Sequence, residues 1–275
     1  MQGERASIPR VAVFANPGRK NQMSTFSRRR LLATAATCAA FATLTACTSV
    51  RESGQRGYGQ AAVPPPEQLP QFGVDPLFSN YHQMYAATFD DGYDIPAVPI
   101  EEIDPKYYRQ SVPDPTGEQP GTVVVDTSNH FLYLVGNMGD ALRYGVGLGR
   151  EGFEWSGRGV IQWKQKWPRW FPPDEMIDRQ PELEKYRARQ IPGTNDWEGG
   201  MEPGVMNPLG ARALYVFQDG KDTLYRLHGS PEWSSIGKSV SSGCVRLINQ
   251  DIVDLYDRVP DGAPLVARSG LSSVG

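Results

Sequence analysis

From Gly121 onward the chain alternates short apolar runs with polar, turn-forming breaks. Thr122-Val123-Val124-Val125 and Phe131-Leu132-Tyr133-Leu134-Val135 are β-branched or aromatic, and Asp126-Thr127-Ser128-Asn129 separates them, which is a hairpin pattern. Further strands are predicted at Ala141 to Val146, Val160 to Lys164, Ala213 to Gln218 and Leu224 to Leu227. Two helical segments interrupt them: Asp174 to Arg189, broken or restarted at Pro181, and Gln250 to Val259. In the second, Ile252, Leu255, Tyr256 and Val259 recur at i, i+3, i+4 and i+7 behind Asn249, a residue suited to cap a helix. The pattern predicts a mainly β domain with short helices.

Upstream the pattern is different. Residues 73–120 carry Tyr81, Met84, Tyr85, Phe89, Ile103, Tyr107 and Tyr108 with no sustained period, as expected of an arm of short elements packed on the main domain. Residues 48–72 are rich in Gly, Gln and Pro and read as a semi-extended tether. Leu31 to Ala46 is an apolar run too short to span a bilayer comfortably, behind the twin-arginine start Ser27-Arg28-Arg29-Arg30. It ends in Leu44-Thr45-Ala46-Cys47, which resembles a bacterial lipobox. The twin-arginine start sets the export signal from Met23, with residues 1–22 as an N-terminal extension, and the lipobox resemblance implies a lipid anchor at Cys47; ordinary cleavage after small residues, releasing a soluble protein, is the alternative. The chain is then divided into leader 1–47, tether 48–72, arm 73–120, main domain 121–267 and tail 268–275.

Removing that leader changes the charge. Met1 to Cys47 holds seven of the 28 Lys and Arg and one of the 31 Asp and Glu, so the remainder stands at net −9. Phosphate binding needs a basic surface, so a nucleic-acid partner is not expected. With 29 Gly, 23 Pro and 10% aromatic residues, the composition suits a turn-rich β domain.

Two of the three cysteines, Cys38 and Cys47, fall in the leader, which leaves Cys244 as the one thiol of the main domain. His228-Gly229-Ser230 precedes it by sixteen residues, a separation that a returning loop closes. A thiol attacks as a thiolate, and a cysteine of ordinary pKa, about 8.5, is mostly protonated at neutral pH without a nearby base. Gly243 allows a sharp turn before Cys244 and leaves backbone N–H groups for an oxyanion. The residues alone leave two readings open: a nucleophile and its base, or a buried structural cysteine and a surface histidine.

The longer motif narrows the choice. His228-Gly229-Ser230, then Ile236-Gly237-Lys238-Ser239-Val240-Ser241-Ser242-Gly243-Cys244-Val245-Arg246-Leu247, with Asn207-Pro208-Leu209-Gly210-Ala211-Arg212-Ala213-Leu214 upstream, resembles the signature of the L,D-transpeptidase catalytic domain, also called the YkuD domain. The resemblance covers about Gly121 to Val266. It implies a β-sandwich or barrel-like domain with the cysteine on a loop before a C-terminal helix, acting on peptidoglycan stem peptides in the periplasm or cell envelope. It also implies Cys244 as nucleophile, His228 as base, the Gly229 carbonyl as orienter of the imidazole, and the N–H groups of Gly243 and Cys244 as oxyanion hole. Arg246 matches a position that holds a substrate carboxylate or braces the loop, with a salt bridge to a neighbouring acid as the plainer role. Ser241, Ser242 and Trp233 complete the expected substrate-binding set, Trp233 as a lid. Ser242 stands where many members carry a second histidine, so His228 is the one histidine available as base. The implied acceptor is an amine of a second stem or of an outer-membrane lipoprotein, and no cofactor is expected; a carboxypeptidase or amidase on the same substrate, with water as acceptor, and a non-catalytic envelope lipoprotein that binds peptidoglycan are the alternatives.

Three other features carry less. Gly147-Leu148-Gly149-Arg150-Glu151-Gly152 fits G-x-G-x-x-G, but no helix is predicted after it, so it reads as a glycine-rich strand end rather than a dinucleotide site. Trp155, Trp163, Trp167, Trp170 and Phe171 cluster before Pro172-Pro173; their faces suit stacking on glycan or lining a stem-peptide groove, and packing is the stronger reading for most of them. Three histidines far apart and one thiol offer no metal-ligand spacing.

Overall fold

The computed structural model describes residues 80–149, 155–194, 197–241 and 243–271. The leader and tether expected over residues 1–72, and Ser242, lie outside the described residues.

Nine strands form one sheet: β1 (Gln110–Pro113), β2 (Val123–Asp126), β3 (Phe131–Val135), β4 (Asp140–Gly145), β5 (Gly157–Lys166), β6 (Arg212–Gln218), β7 (Lys221–Ser230), β8 (Val245–Ile248) and β9 (Ala263–Arg268), in the order β8-β7-β6-β5-β9-β2-β3-β4-β1. Neighbours run antiparallel except β7 with β8 and β9 with β2. Parallel neighbours need a connection that crosses over, and here the segment between β7 and β8 carries the sequence signature around Cys244. Among the described residues three α-helices accompany the sheet: α1 (Tyr81–Met84), α2 (Asp174–Arg179) and α3 (Asn249–Arg258). The mainly β architecture with short helices is therefore as expected.

The apolar stripe of α3 drives its docking. Ile252 and Leu255 are fully buried with Val259 against Leu214, Leu227, Val245 and Leu247 of the β6–β7–β8 end of the sheet and Leu132, Leu134 and Leu142 of the β3–β4 end. Both ends of the sheet thus share one core with α3. Residues at alternate positions on β7 and β8 point into it: Tyr225 and Leu227, Val245 and Leu247. Burying side chains of this size contributes roughly 1.5–3 kcal/mol each, which fixes the register of both strands, since a slip by one residue would turn the whole set outward.

Two local expectations need correction. Asn249 does not cap α3; Ile248 holds that position, and the Asn249 side-chain oxygen accepts a hydrogen bond from the Ala211 N–H at 3.0 Å instead. The predicted Asp174 to Arg189 helix stops at Arg179, continues as a 3-10 turn over Pro181–Tyr186 and gives way to a two-residue strand at Arg189–Gln190. Pro181 has no N–H for the helical ladder, which explains the break.

The upstream arm ends in β1, which hydrogen-bonds to β4 as an edge of the sheet. Its hairpin, Thr88–Asp90 with Tyr93–Ile95, delivers Asp90 to Arg212. Arg212 is 1% exposed, so its charge needs a partner, and Asp90 accepts two hydrogen bonds of 2.7 Å from its guanidinium and one of 2.8 Å from Trp167 Nε1. Burial alone would raise the Asp90 pKa; the bonds from Arg212 and Trp167 outweigh it and hold the carboxyl below its usual value. Trp167, grouped by sequence with a possible substrate surface, is thus a core residue, its ring tilted by 31° against Tyr93 with centroids 4.1 Å apart.

Candidate active site

The parallel register of β7 and β8 pairs Leu227 with Val245 and His228 with Arg246. One step back along the same register sets Cys244 level with Arg226. The core takes Tyr225, Leu227, Val245 and Leu247, so the opposite face holds Arg226, His228, Cys244 and Arg246. His228 and Cys244 are then diagonal neighbours, two residues along one strand and one strand across, about 8 Å between Cα atoms and within reach of their side chains. This face is where the sequence placed its candidate chemistry.

His228 is 4% exposed, and its Nδ1 lies 2.6 Å from the Gly229 carbonyl oxygen. That carbonyl is an acceptor, so Nδ1 carries the proton of the neutral ring and Nε2 keeps a lone pair. Burial lowers the His228 pKa to about 4; the Gly229 carbonyl opposes this, and the nearby Arg246 and Arg226 guanidinium groups add to it. The imidazole is therefore a neutral base throughout the physiological range.

The Gly229 carbonyl is held by close packing. Gly210 has φ +60, and a Cβ there would lie 2.5 Å from the Gly229 carbonyl carbon and 2.3 Å from Asn249 Oδ1. The Asn207-Pro208-Leu209-Gly210 segment is pinned by Asn207, 1% exposed, whose amide nitrogen donates to the carbonyls of Pro168, Met201 and Glu202 while its oxygen accepts from the Leu209 N–H. The Pro208 carbonyl also lies by the His228 ring, where it favours the protonated form slightly. The upstream Asn-Pro-Leu-Gly motif is thus the floor beneath the histidine.

Cys244 is half-buried and follows Gly243, whose φ of +100 turns the chain immediately before it. That conformation costs a side-chain-bearing residue far more than glycine. Burial holds the thiol pKa above its ordinary value, and the Arg226 guanidinium, the Arg226 N–H and the Arg246 guanidinium offset that rise in part. Ser241 closes a short strand, Ser239–Ser241, that pairs in parallel with Leu148–Gly149. Gly147 and Leu148-Gly149, the start of the G-x-G-x-x-G stretch, accordingly form a strand end beside the segment before Cys244. A Cβ on Gly147 would lie 2.6 Å from the Ser235 carbonyl oxygen.

Arg246 donates to Glu232 at 2.6 Å, bracing the segment that leads from His228 to Cys244. Trp233 starts a 3-10 turn and packs, with Ile236, against Tyr107, Tyr108 and Ile103 of the arm. Sequence reasoning overlooked Arg226 and Asp222. The alternation Tyr225-Arg226-Leu227-His228 contained the signal, since it sets Arg226 on the face of His228. Among the described residues, no group of three or more His, Cys, Asp or Glu is placed to hold a metal ion, and no helix is long and apolar enough to cross a membrane.

Comparison with known proteins bears on the same segment. Residues 120–266 match the YkuD family, the L,D-transpeptidase catalytic domain. The probable L,D-transpeptidase YbiS of Escherichia coli strain K12 is 30% identical over 155 residues, covering 55% of this chain and 44% of YbiS. The putative L,D-transpeptidase YqjB of Bacillus subtilis is 42% identical over 78 residues, covering 28% of this chain and 39% of YqjB. The chain thus spans less than half the length of these curated relatives. Among solved structures, a Brucella melitensis protein titled as a probable carnitine operon oxidoreductase is 45% identical, with 59% of this chain and 94% of that one covered, at a TM-score of 0.40. An L,D-transpeptidase from Mycobacterium smegmatis is 18% identical, with 54% and 58% covered, at a TM-score of 0.36. Superpositions this partial leave the family match as the informative result: the chain belongs to the L,D-transpeptidase catalytic domain family.

Proposed function

We propose that this protein is a cysteine-dependent L,D-transpeptidase of peptidoglycan, working in the cell envelope through Cys244 and His228. The observation that carries the reading is the shared face of β7 and β8, with His228 neutral, its Nδ1–H donated to Gly229 and its Nε2 left as acceptor. Cys244 gives its proton to His228, and the thiolate attacks the carbonyl between the L-centre of a stem diamino acid and the terminal D-Ala. The N–H groups of Gly243 and Cys244 receive the oxyanion. As the C–N bond breaks, His228 returns the proton to the departing amine, and D-Ala leaves a thioester on Cys244. The acceptor amine of a neighbouring diamino acid then attacks the thioester and loses its proton to His228. Collapse forms a 3-3 cross-link, and His228 reprotonates the thiol.

Arg246, through Glu232, holds the loop that carries this chemistry; Ser241, Ser242 and Trp233 belong to the proposed substrate groove. Export by the twin-arginine leader and lipid attachment at Cys47 would bring the domain to its substrate. The test is covalent: a carbapenem incubated with the purified protein should add one adduct by intact mass, and Cys244→Ala should abolish it. No adduct on the natural sequence refutes the enzyme reading; an adduct on Cys244→Ala refutes the residue assignment. Muropeptide digestion then reads the acceptor, since cross-linked dimers report an amine whereas tripeptides alone report water.

A further inference from the structure

A charged pair stands beside the thiol that none of the roles above uses. Between β6 and β7 the register slips: Tyr215 pairs with Arg226, but Phe217 already pairs with Asp222, so Thr223–Tyr225 bulge out of the ladder. At the bulge Leu224 takes φ +61, in the left-handed region, although it carries a Cβ and is 56% exposed. Such a conformation costs on the order of 1–2 kcal/mol and no burial of Leu224 offsets it. Its product is positional. The bulge folds Asp222 back onto Arg226, with Nη1 and Nη2 each donating to one carboxylate oxygen at 2.7 Å. The Leu224 N–H donates to Asp222 Oδ1 at 2.8 Å and the Thr223 hydroxyl donates to the Val216 carbonyl at 2.6 Å, so the bulge is itself tied down.

The guanidinium is fixed from a second side as well. It lies 4.6 Å from the centre of the Tyr215 ring, and Tyr215 stacks on Trp163 of β5 at 3.6 Å and 8° between planes. A planar cation between a bidentate carboxylate and an aromatic face has little freedom left. The Arg226 side chain is 14% exposed, so water screens its charge weakly.

We propose that Arg226 tunes the Cys244 nucleophile: clamped by Asp222 and seated on the Tyr215–Trp163 stack, it is the main positive charge that favours the thiolate, ahead of Arg246. It acts as a positioning residue through Cys244, not on the substrate. The groups that bear on the thiol are Arg226, Asp222, Tyr225 and His228 of β7, Tyr215 of β6 and Arg246 of β8. Of these, Arg226 and Arg246 are the fixed cations, and Arg246 is held by Glu232, which is itself 65% exposed. Asp222 opposes the thiolate, so its part is to hold the guanidinium at some cost to the charge it supplies. The same cation disfavours a charged imidazole at His228, which keeps the base neutral.

The inference rests on Cys244 as nucleophile, but its test reads the thiol directly and needs no turnover. Alkylation of Cys244 by iodoacetamide in the full-length protein, with Cys38 and Cys47 changed to serine, is followed against pH by intact mass. Arg226→Met should raise the apparent thiol pKa by about one unit, which is roughly tenfold slower alkylation at pH 7. Arg226→Lys should restore most of that loss. Asp222→Asn, which keeps the acceptor for the Leu224 N–H, should shift the pKa the opposite way, downward. A purely structural pair predicts otherwise: both Arg226→Met and Asp222→Asn break the same ion pair and would shift the profile in one direction, which overturns the proposal. An unchanged profile in Arg226→Met overturns it too. Carbapenem acylation failing on the natural protein while these shifts persist would refute the transpeptidase reading and leave this one standing.

Discussion

Acidification is the perturbation that separates a catalytic His228 environment from an ordinary surface histidine. In the unfolded chain a histidine takes its proton near pH 6.5; in the fold, burial delays this to about 4. Between those values the unfolded state binds more protons than the native state, so stability falls as pH drops through the window and is fully present above it. Integrated from pH 7.5 to 4.5, this one group costs about 2.5 kcal/mol of unfolding free energy. Asp251 works in the opposite sense. It is completely buried beside Arg109 and Tyr85, and burial raises its pKa to about 7, so its protonation favours the fold on acidification. A difference measurement removes that contribution. Urea denaturation of the natural protein and of His228→Gln at pH 7.5 and pH 4.5 should show the natural protein losing about 2.5 kcal/mol more than the variant. The same protonation sets the acid limb of carbapenem acylation, which should fall well below pH 6.5. Parallel pH–stability curves, or an acid limb at or above 6.5, would refute a buried neutral imidazole and with it the assignment of His228 as a base poised at neutral pH.

Three further outcomes follow from packing and charge. Gly210→Ala forces a Cβ to within 2.5 Å of the Gly229 backbone; by overpacking it should cost about 3 kcal/mol in urea denaturation and slow acylation, because the carbonyl that orients His228 must shift. Asp90→Ala takes the bidentate carboxylate from the Arg212 guanidinium, 1% exposed, and leaves it Asp91 at 3.7 Å; it should destabilise by about 3 kcal/mol, and the Arg212→Met, Asp90→Ala double variant should recover part of that loss. Glu232→Gln should change stability by less than about 1 kcal/mol, since Glu232 is 65% exposed; a larger loss would mean that the Arg246 brace carries more of the fold than its exposure allows.

Local pattern made much of the domain legible. The β-branched and aromatic runs predicted β2, β3 and β4 to within a residue or two, and the i, i+3, i+4, i+7 stripe predicted α3, because alternation and helical period are properties of neighbouring residues. Strand β8 was missed: Val245-Arg246-Leu247-Ile248 is four residues long, and its pairing with β7 is what makes it a strand. Asn249 was misassigned because a cap is judged from the residues beside it, whereas the Ala211 N–H that claims its oxygen comes from 38 residues away.

The site divides in the same way. The thiol, its histidine and the glycine before the cysteine were readable from the chain, since their chemistry and spacing are local and belong to a recognisable motif. What the chain alone could not supply was the company they keep. Which cations bear on the thiol depends on the parallel register of β7 and β8, and the bidentate Asp222 clamp exists because a bulge returns the chain on itself at Leu224. The pKa values of His228 and Cys244 depend on how much water is excluded from that face. Register, bulge and burial are consequences of the whole core closing around α3, and for that reason only the tertiary structure decided them.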